Sequence, residues 1–334
     1  FITCMKNDTR TFNTLFASKI HHMIDINVTS PIYIAAIKES ILVERLLDMP
    51  DIDLNCNKKE NQLNVDPDEI EYDFSGLNLL HIFSCYDSIH LLKKLIQSNQ
   101  YDINESTAEY IEDKMNGTPL IIALKNQRLK NLFLLLDSYD NELDLSIYDK
   151  NGLAAVHYCF KLESNGVNIL SKLIKIDESV INMETKDKLK LAPLMIAFQQ
   201  NNLDCINLLL QQSSIDVFSI DNELKTPVHY ACAATTRSDI LDLVLMKIKS
   251  STKDWSEIIE YINTENINGE TALMVACKNA NLYAVQSLME TFKDSLDFSI
   301  PNNDGLTPFL AAIQSNENDL IHLLLLSDNC MSTI

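Results

Sequence analysis

The chain has 334 residues, 46% of them hydrophobic and 22% charged, a composition typical of a folded globular protein rather than a disordered one. Lys and Arg number 27 against 47 Asp and Glu, and the net charge of −20 makes nucleic acid or an anionic membrane surface an unfavourable partner. The longest apolar runs fall far short of the ~18 residues that span a bilayer, so we predict no direct membrane insertion.

The eight cysteines form no CxxC pair, and a chain of this length does not depend on disulfides for its stability. We therefore predict reduced thiols and a cytoplasmic (intracellular) location, with a secreted effector as the alternative. Because the chain begins at Phe1 rather than Met, we expect it to be part of a longer protein. Further domains of that parent chain are then candidate partners.

A short motif recurs along the chain. Each copy holds a turn residue, often Gly, followed in most copies by Thr or Ser, by Pro or a small residue, and by an apolar run with Ala or Cys. The copies are Ser30–Ala36, Gly76–His81, Gly117–Ala123, Gly152–Cys159, Ala192–Ala197, Leu224–Cys232, Gly269–Cys277 and Gly305–Ala312. Their proline-equivalent positions are 34 to 48 residues apart, and self-similarity at such a period indicates a repeat architecture.

A second apolar run with helical spacing follows each motif after roughly ten residues. These runs are Val43–Leu47, Leu91–Ile96, Leu132–Leu136, Leu170–Ile174, Ile206–Leu210, Ile240–Leu245, Val285–Met289 and Ile321–Leu326. Most lead into a short segment of recurring form, such as Tyr101–Asn104 or Leu143–Ser146, which we expect to be extended. One unit therefore comprises a turn, a short helix, a tight loop, a second helix and an extended finger, and it must stack on its neighbours to bury its apolar face.

These motifs resemble the T-P-L-H-x-A core of ankyrin repeats, and about eight degenerate copies cover nearly the whole chain. The resemblance implies an all-α fold, an ankyrin-repeat solenoid of stacked helix-turn-helix units with projecting β-hairpin fingers. We expect residues 1–28 to form an N-terminal helical cap or partial repeat and residues 29–330 to form the solenoid, with insertions near 57–73 and 249–258. Residues 331–334 are predicted to be a tail.

The motif residues have physical roles in such a unit. Thr118, Thr226 and Thr307 are placed to accept the unpaired amides of a helix start, and the Pro that follows each costs no hydrogen bond there. Small residues such as Ala123 and Ala276 let neighbouring repeats approach closely. Five of the six glycines fall at predicted hairpin tips, namely Gly76, Gly117, Gly152, Gly269 and Gly305.

The loop after each first helix lacks the glycine that is usual in the family. The replacements are Asn126-Gln127, Asn201-Asn202, Ala280-Asn281 and Asn316-Glu317. Asparagine tolerates a left-handed backbone better than most residues, so we expect these loops to close on asparagine.

Histidine and cysteine recur in the motif, and we interpret both as structural. His81, His157 and His229 occupy the histidine position, where the resemblance implies an imidazole that bridges loop backbone between adjacent repeats. Ligands on three separate repeats lie too far apart for one zinc ion. Cys159 lies two residues after His157 on a different helix face, so we do not expect this pair, or Cys232 with His229, to act as nucleophile and base. We find no nucleotide-binding, protease or kinase signature and predict neither enzyme activity nor a cofactor.

Two segments depart from the repeat. The insertion 57–73 is acidic, and it is either a solvated loop or a hook that receives a basic partner segment. The second segment, Lys249–Glu257, contains the only tryptophan and could extend the second helix or form a short extra one. Trp255 is either an exposed binding anchor or, as we prefer, a residue packed against Leu245 or Ile259.

The resemblance implies a concave face whose finger tips and first-helix surfaces contact a protein partner with a basic or mixed contact surface. The predicted tip positions are Lys150, Asn151, Leu153, Asn222, Glu223, Lys225, Ile267, Asn268, Glu270, Asn303, Asp304 and Leu306. The predicted first-helix positions are Gln199, Gln200, Lys278 and Asn279, and Trp255 is added as the candidate anchor.

The favoured function is a non-catalytic protein–protein interaction module, an adaptor or scaffold. The alternatives are the targeting arm of a larger multidomain enzyme or bacterial effector and a mechanical tether beneath a membrane protein. The final second helix, Leu320–Leu326, is strongly apolar, and we expect another repeat, a cap or another subunit at an end of the stack.

Overall fold

The computed structural model describes residues 77–86, 89–98, 101–107, 113–140, 142–234 and 238–326. The predicted N-terminal cap 1–28, the first repeat, the acidic insertion 57–73 and the tail 331–334 lie outside the described residues. The chain divides into two compact units, Phe1–Tyr158 and Cys159–Ile334. Across the described ranges, no helix is both long and apolar enough to cross a membrane.

The described residues contain seven helix pairs and one additional helix. The first helix of each pair is here called inner and the second outer. The pairs are α1 Leu79–Cys85 with α2 Ile89–Ser98, α3 Pro119–Lys125 with α4 Leu129–Ser138, α5 Ala155–Cys159 with α6 Glu163–Ile176, α7 Pro193–Gln199 with α8 Leu203–Gln211, α9 Pro227–Ala233 with α10 Ser238–Lys249, α12 Ala272–Lys278 with α13 Leu282–Phe292, and α14 Pro308–Ser315 with α15 Asn318–Leu325. The additional helix is α11, Trp255–Ile262, and two short 3-10 helices span Asp113–Met115 and Glu178–Asn182.

The inner helices begin where the motif predicts. Thr118, Thr226 and Thr307 each accept a hydrogen bond from the backbone N–H three residues later, and a proline follows each of them in the first turn. Thr271 makes the same cap without proline. The predicted role of these threonines is confirmed, because a cap oxygen satisfies an amide that has no partner within the helix.

Small residues allow the inner helices to lie side by side. Within the first unit α1 packs on α3, and within the second α7 packs on α9, α9 on α12 and α12 on α14. The alanines at the motif position, Ala123, Ala197, Ala231, Ala276 and Ala312, are all at most 1% exposed. Within each unit outer helices pack on outer helices in the same way, so neighbouring pairs of a unit cover one another's apolar faces.

Asparagines at the start of outer helices fasten neighbouring repeats together. Asn281 donates to the carbonyl oxygens of Cys232 and Ala234, at 3.1 and 3.0 Å, at the end of the preceding inner helix. Asn202 donates to Phe160 at 3.1 Å in the equivalent place. These carbonyls lie in the last turn, where helical partners are lacking, so each side chain satisfies a group that burial would otherwise leave unpaired.

A second set of asparagines joins the segments that follow the outer helices. The Asn182 side chain donates to the Ser214 carbonyl at 2.8 Å and accepts from the Asp216 N–H at 2.9 Å. Two repeats further along the chain, Asn263 makes the same two bonds with Ser295 and Asp297. We call this arrangement the asparagine clamp; Asn104 forms it in the first unit with Glu142 and Asp144.

The segments that we predicted to be extended are turns. The carboxylates of Asp102, Asp144, Asp216 and Asp297 each accept the backbone N–H two residues later, at 2.8 to 2.9 Å. This side-chain bond bends the backbone in place of a strand pairing. The expectation of an extended conformation there was therefore wrong, because the aspartate offers the backbone a local partner.

The loops after the inner helices contain the expected left-handed residue, but it is asparagine in only two of the four. Asn201 and Asn316 have φ of 51° and 57°, whereas Gln127 and Ala280 occupy the same place with φ of 54° and 53°. A left-handed backbone brings Cβ close to the carbonyl oxygen and costs about 1–2 kcal/mol for a residue other than glycine. Glutamine and alanine therefore hold these loops under local strain.

We expect Ala280→Gly to raise the free energy of unfolding by about 0.5–1 kcal/mol, because glycine removes the left-handed strain but loses more backbone entropy on folding. Urea denaturation of the purified chain measures the change. Ala284→Gly, in the first turn of α13, is the control at a position without left-handed backbone and should lower the stability by about 0.5–1 kcal/mol. Destabilisation by both substitutions would contradict the assigned conformation of Ala280.

We expect Asn182→Ala to lower the free energy of unfolding by about 1–2 kcal/mol, because it removes both hydrogen bonds of the asparagine clamp. The same denaturation measurement tests it against Asn168→Ala on the exposed surface of α6. The control should change the stability by less than about 0.5 kcal/mol. Equal effects of the two substitutions would show that the clamp contributes nothing.

Candidate partner-binding surface

Each finger is a tight turn organised by the side chain of its first residue. Asp221 accepts the backbone N–H groups of Glu223 and Lys225 on one carboxylate oxygen, both at 2.8 Å, and its own N–H donates to the Lys225 carbonyl. Asp149, Asn266 and Asn302 build their fingers in the same way. In the described residues, β-pairing is confined to one bridge between Tyr148 and Ala154, so the fingers are hairpin turns with little strand.

The second oxygen of the finger aspartate binds a tyrosine on the inner helix that follows. Tyr230 donates to Asp221 at 2.5 Å, and Tyr158 donates to Asp149 at 2.6 Å. Burial, followed by the adjacent carboxylate, raises the pKa of both phenols well above the ordinary value. Sequence reasoning missed these pairs, although an Asp at the finger start and a Tyr nine residues later were visible in both repeats.

The Asp149 carboxylate also binds the Lys125 ammonium at 2.7 Å, with the side chains only 0% and 6% exposed. The lysine lies over the Tyr158 ring, 5.7 Å from its centroid. Removal of one member of such a buried pair leaves the other charge uncompensated. The pair therefore serves the finger structure of the first unit and is withdrawn from partner contact.

Successive fingers of the second unit are joined tip to tip. The Asn222 backbone N–H donates to the Leu189 carbonyl at 2.9 Å, and its side chain donates to the Lys188 carbonyl at 2.8 Å. Ile267 N–H then donates to the Glu223 carbonyl, and Asn303 donates to Asn268 and Ile267. This finger ladder consumes backbone groups at the tips, so what remains for a partner is the exposed side chains.

The structure divides the predicted tip residues into exposed and engaged ones. The exposed tip residues are Lys150, Asn151, Asn222, Ile267, Asn268, Asn303 and Asp304. Leu153, Glu223, Lys225 and Leu306 are half-buried, so Leu306 is less exposed than we expected. Glu223 and Lys225 pair with each other at 2.6 Å.

Glu270 is the clear exception among the predicted tip residues. Glu270 is only 6% exposed, and its carboxylate binds the Lys278 ammonium at 2.7 Å and the Asn266 side-chain amide at 3.2 Å. Burial opposes ionisation, yet the bonds from Lys278 and Asn266 hold the pKa of the carboxyl below its ordinary value. The expectation that Glu270 faces a partner was wrong, because the finger turns its side chain inward to the end of α12.

The inner-helix positions follow the prediction more closely. Gln199, Gln200, Lys278 and Asn279 are all exposed at the C-terminal ends of α7 and α12. Asn279 also donates to the Val275 carbonyl at 2.8 Å and so partly serves the helix end. Gln199 and Lys278 therefore present exposed polar groups at the last residue of the inner helix in two repeats, and Gln200 and Asn279 do so at the next position.

Trp255 begins the additional helix α11, so of the two alternatives for this segment the structure has the short extra helix. Its side chain stacks on Phe292 of α13, with ring centroids 5.9 Å apart and 27° between the planes. We expected Leu245 or Ile259 as the packing partner; the ring contact is instead with the end of α13, beside which α11 begins. The tryptophan is 46% exposed, so one face packs and another reaches solvent.

His81 and His229 bridge adjacent repeats as the resemblance implies. The Nδ1 atom of His81 accepts the Asn78 N–H at 3.1 Å, so the proton resides on Nε2 and is donated to the Glu105 carbonyl at 2.7 Å. His229 is bound likewise between Thr226 and the Glu270 carbonyl. Burial lowers the pKa of His81 to about 4, against the opposing effect of Glu105, and burial also lowers that of His229.

The cysteine–histidine pairs are not arranged for nucleophilic chemistry. His229 and Cys232 are three residues apart and can share a helix face, so the spacing argument did not suffice for this pair. The bonding of both imidazole nitrogens is the better reason, together with burial, which raises the pKa of the Cys159 and Cys232 thiols. Among the described residues, no group of three or more His, Cys, Asp or Glu side chains could hold a metal ion.

Comparison with known proteins adds a family and two relatives. The family described as ankyrin repeats (3 copies) matches residues 156–254 and 255–333. Transcription factor MBP1 of Saccharomyces cerevisiae is 36% identical over 95 residues, which is 27% of this chain and 11% of that protein. The chain therefore corresponds to only a small part of that relative's length.

The ankyrin repeat domain of Bcl-3, from the IkappaB protein family, superimposes with a TM-score of 0.52 at 19% identity, over 73% of this chain and 97% of that domain. At this identity the likeness concerns the fold alone. Together with the family match it confirms the all-α ankyrin-repeat solenoid predicted from the sequence.

We expect the stability of the chain to fall between pH 7 and pH 5. A histidine whose pKa is lower in the folded state contributes stability that is complete above the unfolded value of ~6.5 and is lost as the pH falls toward about 4. Protonation places a second proton at Nδ1 of His81, opposite the Asn78 N–H. In His81→Gln the decrease in the free energy of unfolding between pH 7 and pH 5 should be smaller by about 2 kcal/mol than in the wild type. This difference does not depend on how much the substitution changes the stability at pH 7.

Urea denaturation at a series of pH values measures this dependence. His322→Gln, which replaces an exposed histidine in α15, is the control for the substitution itself. An identical pH dependence in wild type and His81→Gln would contradict the buried neutral imidazole.

Proposed function

The chain belongs to the ankyrin-repeat family, and we propose that it is a non-catalytic adaptor that binds another protein through its finger tips and the exposed ends of its inner helices. The family relationship supports a protein-interaction module. The adaptor role, the binding surface and the nature of the partner are the proposal.

The observation that carries the proposal is that, within the second unit, backbone groups join the repeats to one another while certain side chains stay exposed. Backbone groups at the finger tips and inner-helix ends are spent on bonds between repeats, through the finger ladder and through Asn202 and Asn281. Gln199 and Lys278 remain exposed at the same place in two repeats, and Gln200 and Asn279 remain exposed at the next position. A row of exposed side chains of varied chemistry on a frame fixed by its neighbours suits recognition of a protein surface.

The net charge of −20 supports a protein partner with a basic or mixed contact surface and disfavours nucleic acid. A second candidate function is the targeting arm of a larger multidomain protein, such as an enzyme or effector. It is favoured by one observation, that the stretch similar to this chain is only 11% of transcription factor MBP1.

We expect Gln200→Arg to weaken partner binding about tenfold, because a bulky charge is introduced at the centre of the proposed surface. The measurement is quantitative mass spectrometry of proteins captured by the immobilised chain, followed by titration of the purified partner. Gln211→Arg is the matched control: it is an exposed glutamine at the end of the outer helix of the same repeat.

The control should bind as the wild type does. Equal binding by wild type and both variants would overturn the proposed surface, and capture of no protein at all would overturn the adaptor function.

A further inference from the structure

Three exposed apolar side chains lie in neighbouring fingers of the second unit. Ile220, Leu224 and Ile267 are 44%, 50% and 52% exposed. The Ile267 N–H donates to the carbonyl of Glu223 at 2.9 Å, and Leu224 is the next residue after Glu223. This hydrogen bond of the finger ladder therefore brings the backbones at Leu224 and Ile267 close together. Ile220 immediately precedes Asp221, which organises the Leu224 finger. We call these three residues the apolar tip patch.

Leu224 occupies a place that glycine fills in the other fingers of this construction. It is the third residue after Asp221, as Gly152, Gly269 and Gly305 are after Asp149, Asn266 and Asn302. All four have a left-handed backbone, with φ of 57° at Leu224 and 72° to 79° at the glycines. The left-handed backbone at Leu224 therefore has a steric cost that glycine would avoid, and the side chain that causes this cost is apolar and half-exposed.

Neither solubility nor folding explains a strained, exposed leucine. An exposed apolar side chain gains its burial energy when a partner covers it, and strained backbone conformations concentrate at binding sites. Leu224 thus has the properties of a residue that contacts a partner rather than of one that stabilises the packing of the repeats.

The charges around the apolar tip patch are unevenly distributed. Lys188 and Lys190 are exposed in the preceding finger, which the ladder joins to Asn222 through the Lys188 and Leu189 carbonyls. Within the described residues, neither lysine takes part in an ion pair. Glu223 and Lys225 neutralise each other at 2.6 Å. On the other side of the patch Glu265 and Asp304 are exposed, whereas the exposed Lys278 is paired with Glu270.

The preceding finger also carries exposed Glu184, Lys186 and Asp187, and the Asp187 carboxylate accepts the Leu189 and Lys190 N–H groups. Three lysines against two carboxylates still leave this segment net positive. The patch therefore lies between a finger with an excess of lysine and an acidic side, in a chain whose net charge is −20. Local charge complementarity favours a partner that is acidic at the lysine side, the opposite of what the net charge alone predicts. A uniformly acidic segment is not favoured, because it would meet Glu265 and Asp304.

We propose that Lys188, Lys190 and the apolar tip patch form a docking site for an extended segment of another protein that carries large apolar side chains and, on one side of them, acidic side chains. The inference rests on the proposed function and specifies the chemistry of the partner. The apolar side chains cover Ile220, Leu224 and Ile267, and the carboxylates face the two lysines.

The test selects peptides from an unbiased display library on the immobilised full chain and measures their affinities by fluorescence anisotropy. We expect peptides with a cluster of Asp or Glu beside Leu, Ile or Phe. Leu224→Gly should weaken their binding about tenfold while raising the urea midpoint of the chain, because the contact is lost and the strain is removed. A purely structural leucine would not separate the two readouts in this way.

The control for strain relief is Gln127→Gly, which removes a left-handed side chain in the other unit and should leave peptide binding unchanged. The double variant Lys188→Glu with Lys190→Glu should weaken binding about fivefold at low salt. Lys130→Glu with Lys175→Glu makes the same change of net charge on outer helices and should have little effect.

Three outcomes overturn the docking site. The first is that the selected peptides are basic, and the second is that acidic–apolar peptides bind all variants equally. The third is that the chain self-associates, as detected by sedimentation, and that Leu224→Gly abolishes this self-association. In the first two cases the adaptor function stands with a different surface. Failure of every peptide and of every captured protein to bind overturns the adaptor function as well.

Discussion

The helix pairs that the structure describes depend on one constraint: a pair of short helices cannot cover its own apolar face and must be covered by the pairs beside it. Isolated helices of this length are marginal in water, so their stability comes from packing rather than from propensity. The constraint explains the residues at the motif position. Ala197, Ala231 and Ala276 are buried because a larger side chain would hold neighbouring inner helices apart.

Polar side chains determine how the pairs are aligned. His81 and His229 reach the backbone of the next finger, and the asparagine clamps of Asn182 and Asn263 join the outer edges. Each bond joins a side chain of one repeat to the backbone of another, and a shift of one repeat would leave the buried groups among them, such as the His229 imidazole, unpaired. Packing holds the repeats together, and these hydrogen bonds choose the alignment.

The same bonding limits what can serve as a binding surface. Finger backbone that is occupied in the ladder cannot recognise a partner, and Glu270 is drawn inward by Lys278. What is left is a set of side chains, among them the strained Leu224 and the lysines of the preceding finger. Net charge is a property of the whole chain and of long-range steering, whereas a contact is governed by the few charges beside it.

The sequence by itself determined the repeat, the helix starts and the buried small residues, because these depend on local chemistry that recurs from copy to copy, and the resemblance to the family implied the bridging role of the histidines. Only the tertiary structure decided that Glu270 is buried, that Trp255 stacks on Phe292 and that Leu224 stands beside Ile267. Those contacts join residues from different turns and helices, and no spacing along the chain records which way a finger side chain turns. Left-handed Ala280 and Gln127 escaped prediction for a related reason: packing on both sides can impose a backbone conformation that the residue itself does not favour.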